Sequence, residues 1–300
     1  MPVNRSSLTR FAWLSIAAAI TTIAMKSVAY WLTGSISLLS DAVESVVNLL
    51  GALMALSMLI IAARPPDRDH TFGHSKAEYF ASLVEGVLII GAAIAISVTA
   101  LDRLAHPRPL EQMSVGLIVS TGASVVNLVV ACILMRAGKK YNSITLEADS
   151  QHLMTDVWTS VGVIGGLVMV AATGWTLLDP IMALLVAVNI IWTGANLMRR
   201  SVDGLMDAAL PKAELKIIET VMANYRAKNV VFHALRTRRA AAQRFLSVHM
   251  LVPGDLTVHD AHHIAEDFEG DIRAKLGDAV VSTHLEPVDD EISIYDNNEK

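Results

Sequence analysis

The chain has 300 residues, 53% hydrophobic and 18% charged, with a mean hydropathy of +0.46, which is too apolar for an ordinary soluble protein. Its net charge of -5 comes without a dense basic stripe, which argues against a nucleic-acid partner. Cys132 is the single cysteine, so an intramolecular disulfide and a thiolate metal cluster are both excluded.

Arg5 and Arg10 precede an apolar run from Phe11 to Leu32 that is too long for a signal-peptide core and lacks a convincing cleavage site, so a retained first helix is expected. A spanning helix needs about 20 mostly apolar residues, and six segments qualify: 11–33, 38–63, 79–101, 113–136, 145–173 and 177–198. Six spans return both termini to one side of the bilayer. Arg5, Arg10, Arg64, Arg68, Lys76, Arg136, Lys139, Lys140, Arg199 and Arg200 fall on that side, and Arg103 and Arg108 on the other. The positive-inside rule then makes both termini and the loops at 64–78 and 137–144 cytoplasmic. Residues 1–208 read as an all-α transmembrane transport domain of six helices.

After Arg200 the character changes. Ala208-Ala-Leu-Pro211 leads into amphipathic spacing at Leu215, Ile217, Ile218 and Val221. Val230 to Arg239 and Arg244 to Val252 alternate like strands, with Pro253-Gly254 as a breaker. Residues 258–275 read as a helix and Ala279 to Glu286 as a strand. Helix, two strands, helix and strand predict a small α+β domain over 209–288, with helices on one face of a sheet. The acidic, Asn-rich stretch 289–300 reads as a disordered tail.

Within the fifth apolar segment, His152 and Asp156 are four residues apart on one helix face, with Cβ atoms about 6 Å apart. Ionisable residues at that depth cost free energy and mark a functional site by default. The second segment carries Asp41, Glu44 and Asn48 along one stripe. Glu44, Asn48, His152 and Asp156 together offer a tetrahedral set of nitrogen and oxygen ligands for a divalent cation, with Asp41 as an extra ligand candidate. The alternative is polar groups that only pair helices, and for the single residues Lys26 and Glu85 snorkelling or helix pairing is preferred. Between the second and third segments, Asp67, His70 and His74 have a spacing suited to zinc, with a solvated loop as the alternative. Six of the ten histidines lie in the soluble domain, at 233, 249, 259, 262, 263 and 284. In the strand reading, His233 and His249 sit on neighbouring strands, and His284 and Glu286 share a face of the third.

Three successive stretches then resemble the cation diffusion facilitator family. They are Gly34-Ser-Ile-Ser-Leu-Leu-Ser-Asp41-Ala-Val-Glu44-Ser-Val-Val-Asn48, His70-Thr-Phe-Gly-His74-Ser-Lys76-Ala-Glu78 and Glu147-Ala-Asp-Ser-Gln-His152-Leu-Met-Thr-Asp156. Leu235-Arg-Thr-Arg238 and His284-Leu-Glu286-Pro287 extend the resemblance to the bacterial zinc/iron-type branch. It implies a homodimer of six-helix subunits in the bacterial inner membrane, with a ferredoxin-like cytoplasmic domain, exporting divalent metal in exchange for protons. It implies a transport site at Glu44, Asn48, His152 and Asp156 and a loop site at Asp67, His70 and His74. It also implies a binuclear cytoplasmic site at His233, His249, His262, His284 and Glu286, and an interlocking ion pair between Lys76 and Asp207. The chain departs from the branch at Glu44-x-x-x-Asn48, where Asp-x-x-x-Asp is usual, at Glu286, where aspartate is usual, and at Leu285, where a polar residue often serves the second metal.

The leading expectation is proton-coupled efflux of zinc, with iron(II) or manganese next. Ligands without sulfur suit several such metals. Histidine suits the coupling because metal and proton compete for the same imidazole. No enzymatic activity is expected. A membrane-anchored metal sensor and a passive divalent-cation channel are the rival readings.

Overall fold

The computed structural model describes residues 8–33, 36–106, 114–175, 177–227 and 229–290. Six long helices come first: α1 (Thr9–Thr33), α2 (Ile36–Ala62), α3 (Ala77–Ala105), α4 (Ser114–Tyr141), α5 (Ile144–Thr173) and α6 (Leu178–Leu205). They follow the predicted apolar segments, except that α3, α4 and α6 run several residues further. The charged stretch Arg136 to Lys140, predicted as the edge of a loop, continues α4, because Lys and Arg are good helix formers and their cations favour a helix C-terminus. Only Asn142, in the left-handed region at φ 50°, and Ser143 separate α4 from α5. Four stretches, Thr9–Trp31, Ala77–Ala105, Thr121–Tyr141 and Pro180–Leu205, are long and apolar enough to cross a bilayer, and Asn48–Ala62 is a shorter apolar helix.

The helical region buries polar groups and exposes apolar ones. Ser45, Asn48, Glu78, Ser82, Glu85, Asn127, Asp149, Ser150, His152 and Thr155 are buried, while Trp31, Val98, Ile118, Val188 and Trp192 are exposed. Water would punish that arrangement, whereas hydrocarbon around the outside favours it. An apolar cluster of Ala12, Ile16, Ala52, Leu56, Leu59, Ala131, Leu134, Leu146 and Leu153 joins α1, α2, α4 and α5. Small residues permit close approach elsewhere. A Cβ added to Gly86 on α3 would lie 2.6 Å from Met198 Cγ on α6, and one added to Gly194 on α6 would lie 2.8 Å from Ile90 Cγ1 on α3. Since α2, α3 and α5 also touch one another, polar side chains from all three can converge.

The chain divides into two compact units between Val202 and Asp203. The second contains α7 (Lys212–Arg226), β1 (Val231–Ala240), β2 (Gln243–Val252), α8 (Val258–Leu276) and β3 (Ala279–Pro287). The sheet order is β1-β2-β3, with β1 antiparallel to β2 and β2 parallel to β3. Thr257 caps α8 by accepting from Asp260 N at 3.2 Å, and Gly277 ends it at φ 80°, a conformation glycine adopts without steric cost. Ile218, Val221, Met222 and Tyr225 of α7 and Ala265, Phe268 and Ile272 of α8 pack on Phe232, Val248 and Met250 of the sheet. The predicted order of helices and strands is therefore observed, as a mixed α/β unit with both helices on one sheet face. The predicted tail lies outside the described residues from 291 onward.

Candidate metal centre

The membrane site grows from α2, α3, α4 and α5. Asn48 and His152, only 6% and 5% exposed, meet across α2 and α5. Asn48 Nδ2 donates to Asp156 Oδ2 at 2.5 Å. The carboxylate accepts, so the amide nitrogen must face it and the amide oxygen must face away. That oxygen lies 2.7 Å from His152 Nε2, which therefore donates. Asn127 Nδ2 on α4 also donates to Asp156 Oδ2, at 3.0 Å. The predicted i, i+4 pair thus closes into an amide-bridged cluster of Asn48, His152, Asp156 and Asn127. The side chains of Asp41 and Glu44 lie outside the described residues.

Glu85 of α3, which pattern reading left as a helix-pairing residue, is 1% exposed and places Oε2 3.3 Å from His152 Nδ1. Asn127 was not singled out at all. Each is a polar residue within an apolar run, which is a visible signal. Which face of its helix meets α5 depends on helix rotation, which a single apolar sequence does not specify.

In the loop before α3, Asp67 Oδ1 accepts from the backbone N–H of His70 at 2.7 Å and of Asp69 at 3.0 Å. The His70 backbone bond is the largest influence holding the Asp67 carboxyl below its ordinary range, and the neighbouring imidazoles act in the same direction. His70 Nδ1 and His74 Nε2 each lie 3.4 Å from an Asp67 oxygen. The three offer ligand atoms within 4.8 Å of one another. The turn that makes the backbone bonds also sets the spacing, so a charged carboxylate and two imidazoles face one point.

In the mixed α/β unit, register brings the histidines together. His233 pairs with His249, and His249 with His284, across all three strands. Phe232 and Met250 face the helices, so alternation sends the histidine row to the opposite face. Glu286, two residues beyond His284, shares that face. His233 Nε2 lies 2.8 Å from Glu286 Oε2, and His249 Nδ1 2.8 Å from Glu286 Oε1. His284 Nε2 is further away, at 3.7 Å from Oε1. Burial pushes the Glu286 carboxyl up, but the hydrogen bond from His233 and the two nearby imidazoles outweigh it, and the net shift is downward. His233, His249 and Glu286 offer ligand atoms within 4.8 Å of one another, so a plausible divalent-metal site exists. His262 stands apart from this group. It lies on α8 with its ring 5.9 Å from that of His263, and His263 in turn contacts His259 at 4.5 Å. Asp207 receives a bond from Arg238 Nη1 at 3.1 Å, within its own unit.

Residues 12–206 match the cation efflux transmembrane domain, and residues 210–288 match the cation efflux protein cytoplasmic domain. A Synechocystis sp. protein described as an uncharacterized transporter is 49% identical over 280 residues, covering 93% of this chain and 90% of that protein. The cation-efflux pump FieF of Pectobacterium atrosepticum is 32% identical over 275 residues, covering 91% of this chain and 90% of the pump. A solved structure of CzrB in its zinc form is 28% identical, with a TM-score of 0.26, covering 27% of this chain and 91% of that one. A buried polar cluster among apolar helices, followed by a sheet carrying a histidine–carboxylate group, is the layout of a membrane transporter for metal ions. The chain belongs to the cation diffusion facilitator, or cation-efflux, family. Its activity is efflux of divalent metal cations across a membrane and not catalysis.

Proposed function

We propose that this transporter exports zinc from the cytoplasm in exchange for protons, with iron(II) and manganese as the next candidate cargoes. The transport site consists of Glu44, Asn48, His152 and Asp156, with Asp41 as a candidate fifth ligand. The observation that carries the reading is the convergence of Asn48, His152 and Asp156 inside an apolar helical region. A polar cluster so costly to bury is matched to a cation that repays the cost. The metal is substrate here, bound midway and released outward. Protonation of His152 removes the lone pair the ion needs, so proton entry and metal exit exclude each other at one side chain. Rocking of helices around that site would expose it alternately to the two sides.

On this reading α1 to α6 are six spans of the bacterial inner membrane with both termini cytoplasmic. Residues 1–208 form the transport domain and 209–288 a ferredoxin-like cytoplasmic domain, consistent with the αββαβ order. Asp67, His70 and His74 form a loop site. His233, His249, His284 and Glu286 bind metal at a homodimer interface, where His262 is supplied between subunits. Cytoplasmic metal then favours the competent dimer by binding it more tightly than other states.

Purified protein in proteoliposomes, assayed for zinc, iron(II) and manganese uptake beside Asp41→Ala, Glu44→Ala and Asn48→Ala, tests the ligand set and the cargo. The expected result is fastest zinc flux in the wild type and loss of flux in Glu44→Ala and Asn48→Ala. Normal flux in Asn48→Ala with none in Asp41→Ala would move the fourth ligand to Asp41. Wild-type protein that binds metal but moves none under a proton gradient would replace transport with a sensing role.

A further inference from the structure

Glu85 is the only charged residue between Tyr79 and Leu101, so α3 carries a carboxylate well inside an apolar helix. It is 1% exposed, and among the described residues neither of its oxygens has a hydrogen-bond donor. It faces His152, whose Nδ1 lies 3.3 Å from Oε2 and, among the described residues, is also without a hydrogen-bond partner. The other ring nitrogen is committed: Nε2 donates to Asn48, which is itself oriented by Asp156. A neutral imidazole that donates from Nε2 presents a lone pair at Nδ1. When Glu85 is ionised, a lone pair and a carboxylate, both acceptors, therefore face each other.

Three further facts point to a cation at this place. Two ligand atoms each about 2.0–2.1 Å from a tetrahedral ion are separated by about 3.3–3.4 Å, and the observed gap is 3.3 Å. A metal-bound histidine characteristically donates its other N–H to an oriented oxygen, and the Asn48–Asp156 relay supplies one. The carboxylate also has a fitted seat: a Cβ added to Gly51 on α2 would lie 2.7 Å from Oε1 and 3.2 Å from Oε2. With Asn48 neutral, Glu85 and Asp156 together supply the two negative charges a divalent ion needs in a low-dielectric interior.

We propose that Glu85 is a metal-binding residue of this transporter, its carboxylate and His152 Nδ1 coordinating the divalent cargo from the α3 side. The inference rests on the reading that His152 binds the cargo. With the ion on the Nδ1 side, Asn48 and Asp156 stand behind the imidazole and orient it instead of coordinating directly, so cargo occupancy ties α3 to α5 and departs from the four-ligand set.

The test is a cobalt(II) titration of full-length protein in detergent, followed by the visible absorption bands that report coordination number and geometry. His152→Ala identifies the band belonging to the membrane site. Glu85→Gln is expected to change the shape of that band and to raise its midpoint concentration at least about tenfold, the lower end of what loss of even an indirect metal partner costs. Gly51→Ala, which leaves every ligand in place but fills the carboxylate seat, is expected to shift the same band, and this guards against misfolding of the Glu85 variant. A His152-dependent band left unchanged by both variants would overturn the role of Glu85 while leaving the His152 site intact. A cobalt spectrum indifferent to His152→Ala would remove the site on which the inference stands, and the inference with it.

Discussion

Asn48 holds two side chains apart in charge and together in space: its amide nitrogen satisfies Asp156 and its oxygen satisfies His152. Asn48→Asp would place a second carboxylate against Asp156, so the metal-free protein should lose stability while the metal-bound form regains it. Thermal unfolding in detergent, with chelator and with zinc, should show a larger zinc-induced rise in midpoint for the variant than for the wild type. An equal rise would mean that position 48 does not face the ion. At Glu286 the sign of the pH dependence follows from its lowered carboxyl value. A depressed folded-state value contributes stability above the ordinary value of 4.5, and that contribution is lost as pH falls through the folded value. Metal-free protein should therefore lose stability of its mixed α/β unit below about pH 4.5, and Glu286→Gln should flatten that decline. Unfolding midpoints measured from pH 3 to 6 check it.

Hydropathy located all six long helices, four of them long and apolar enough to cross a bilayer, because a helix that crosses one must satisfy its own backbone and demands about 20 apolar residues. Alternation and breakers located the three strands and two helices after α6. The loop trio Asp67, His70 and His74 was legible because a single turn brings it together. His152 with Asp156 was equally legible, because helix pitch alone sets that pair. Glu85 was not read as part of the site, since its contact with His152 depends on how α3 is rotated against α5. That rotation reflects packing partners such as Gly86 with Met198 and Gly51 with Glu85 itself. Gly86→Leu should force α3 from α6 at an overpacking cost of about 1–3 kcal/mol, measurable as a lower unfolding midpoint in detergent. In the mixed α/β unit, Phe268 is fully buried between Tyr225 and Phe232, so Phe268→Ala should cost about 3–5 kcal/mol. Denaturant unfolding of the full chain reads the loss, and an effect under about 1 kcal/mol would contradict the packing.

Among the described residues the candidate metal-binding side chains gather in three places: one cluster among the apolar helices, one loop before α3 and one row of histidines on the sheet face opposite α7 and α8. Family membership assigns metal efflux to the chain, and in the proposed reading the membrane cluster is where efflux and proton coupling meet. His152 is central to it, with one ring nitrogen held by Asn48 and the other facing Glu85. Zinc flux into proteoliposomes, measured with and without an opposing proton gradient for wild type and His152→Ala, addresses this most directly. Wild-type flux should rise with the gradient, and His152→Ala should lose at least about tenfold of it, the equivalent of about 1.4 kcal/mol, while remaining folded. Undiminished, gradient-dependent zinc flux in His152→Ala would contradict the account.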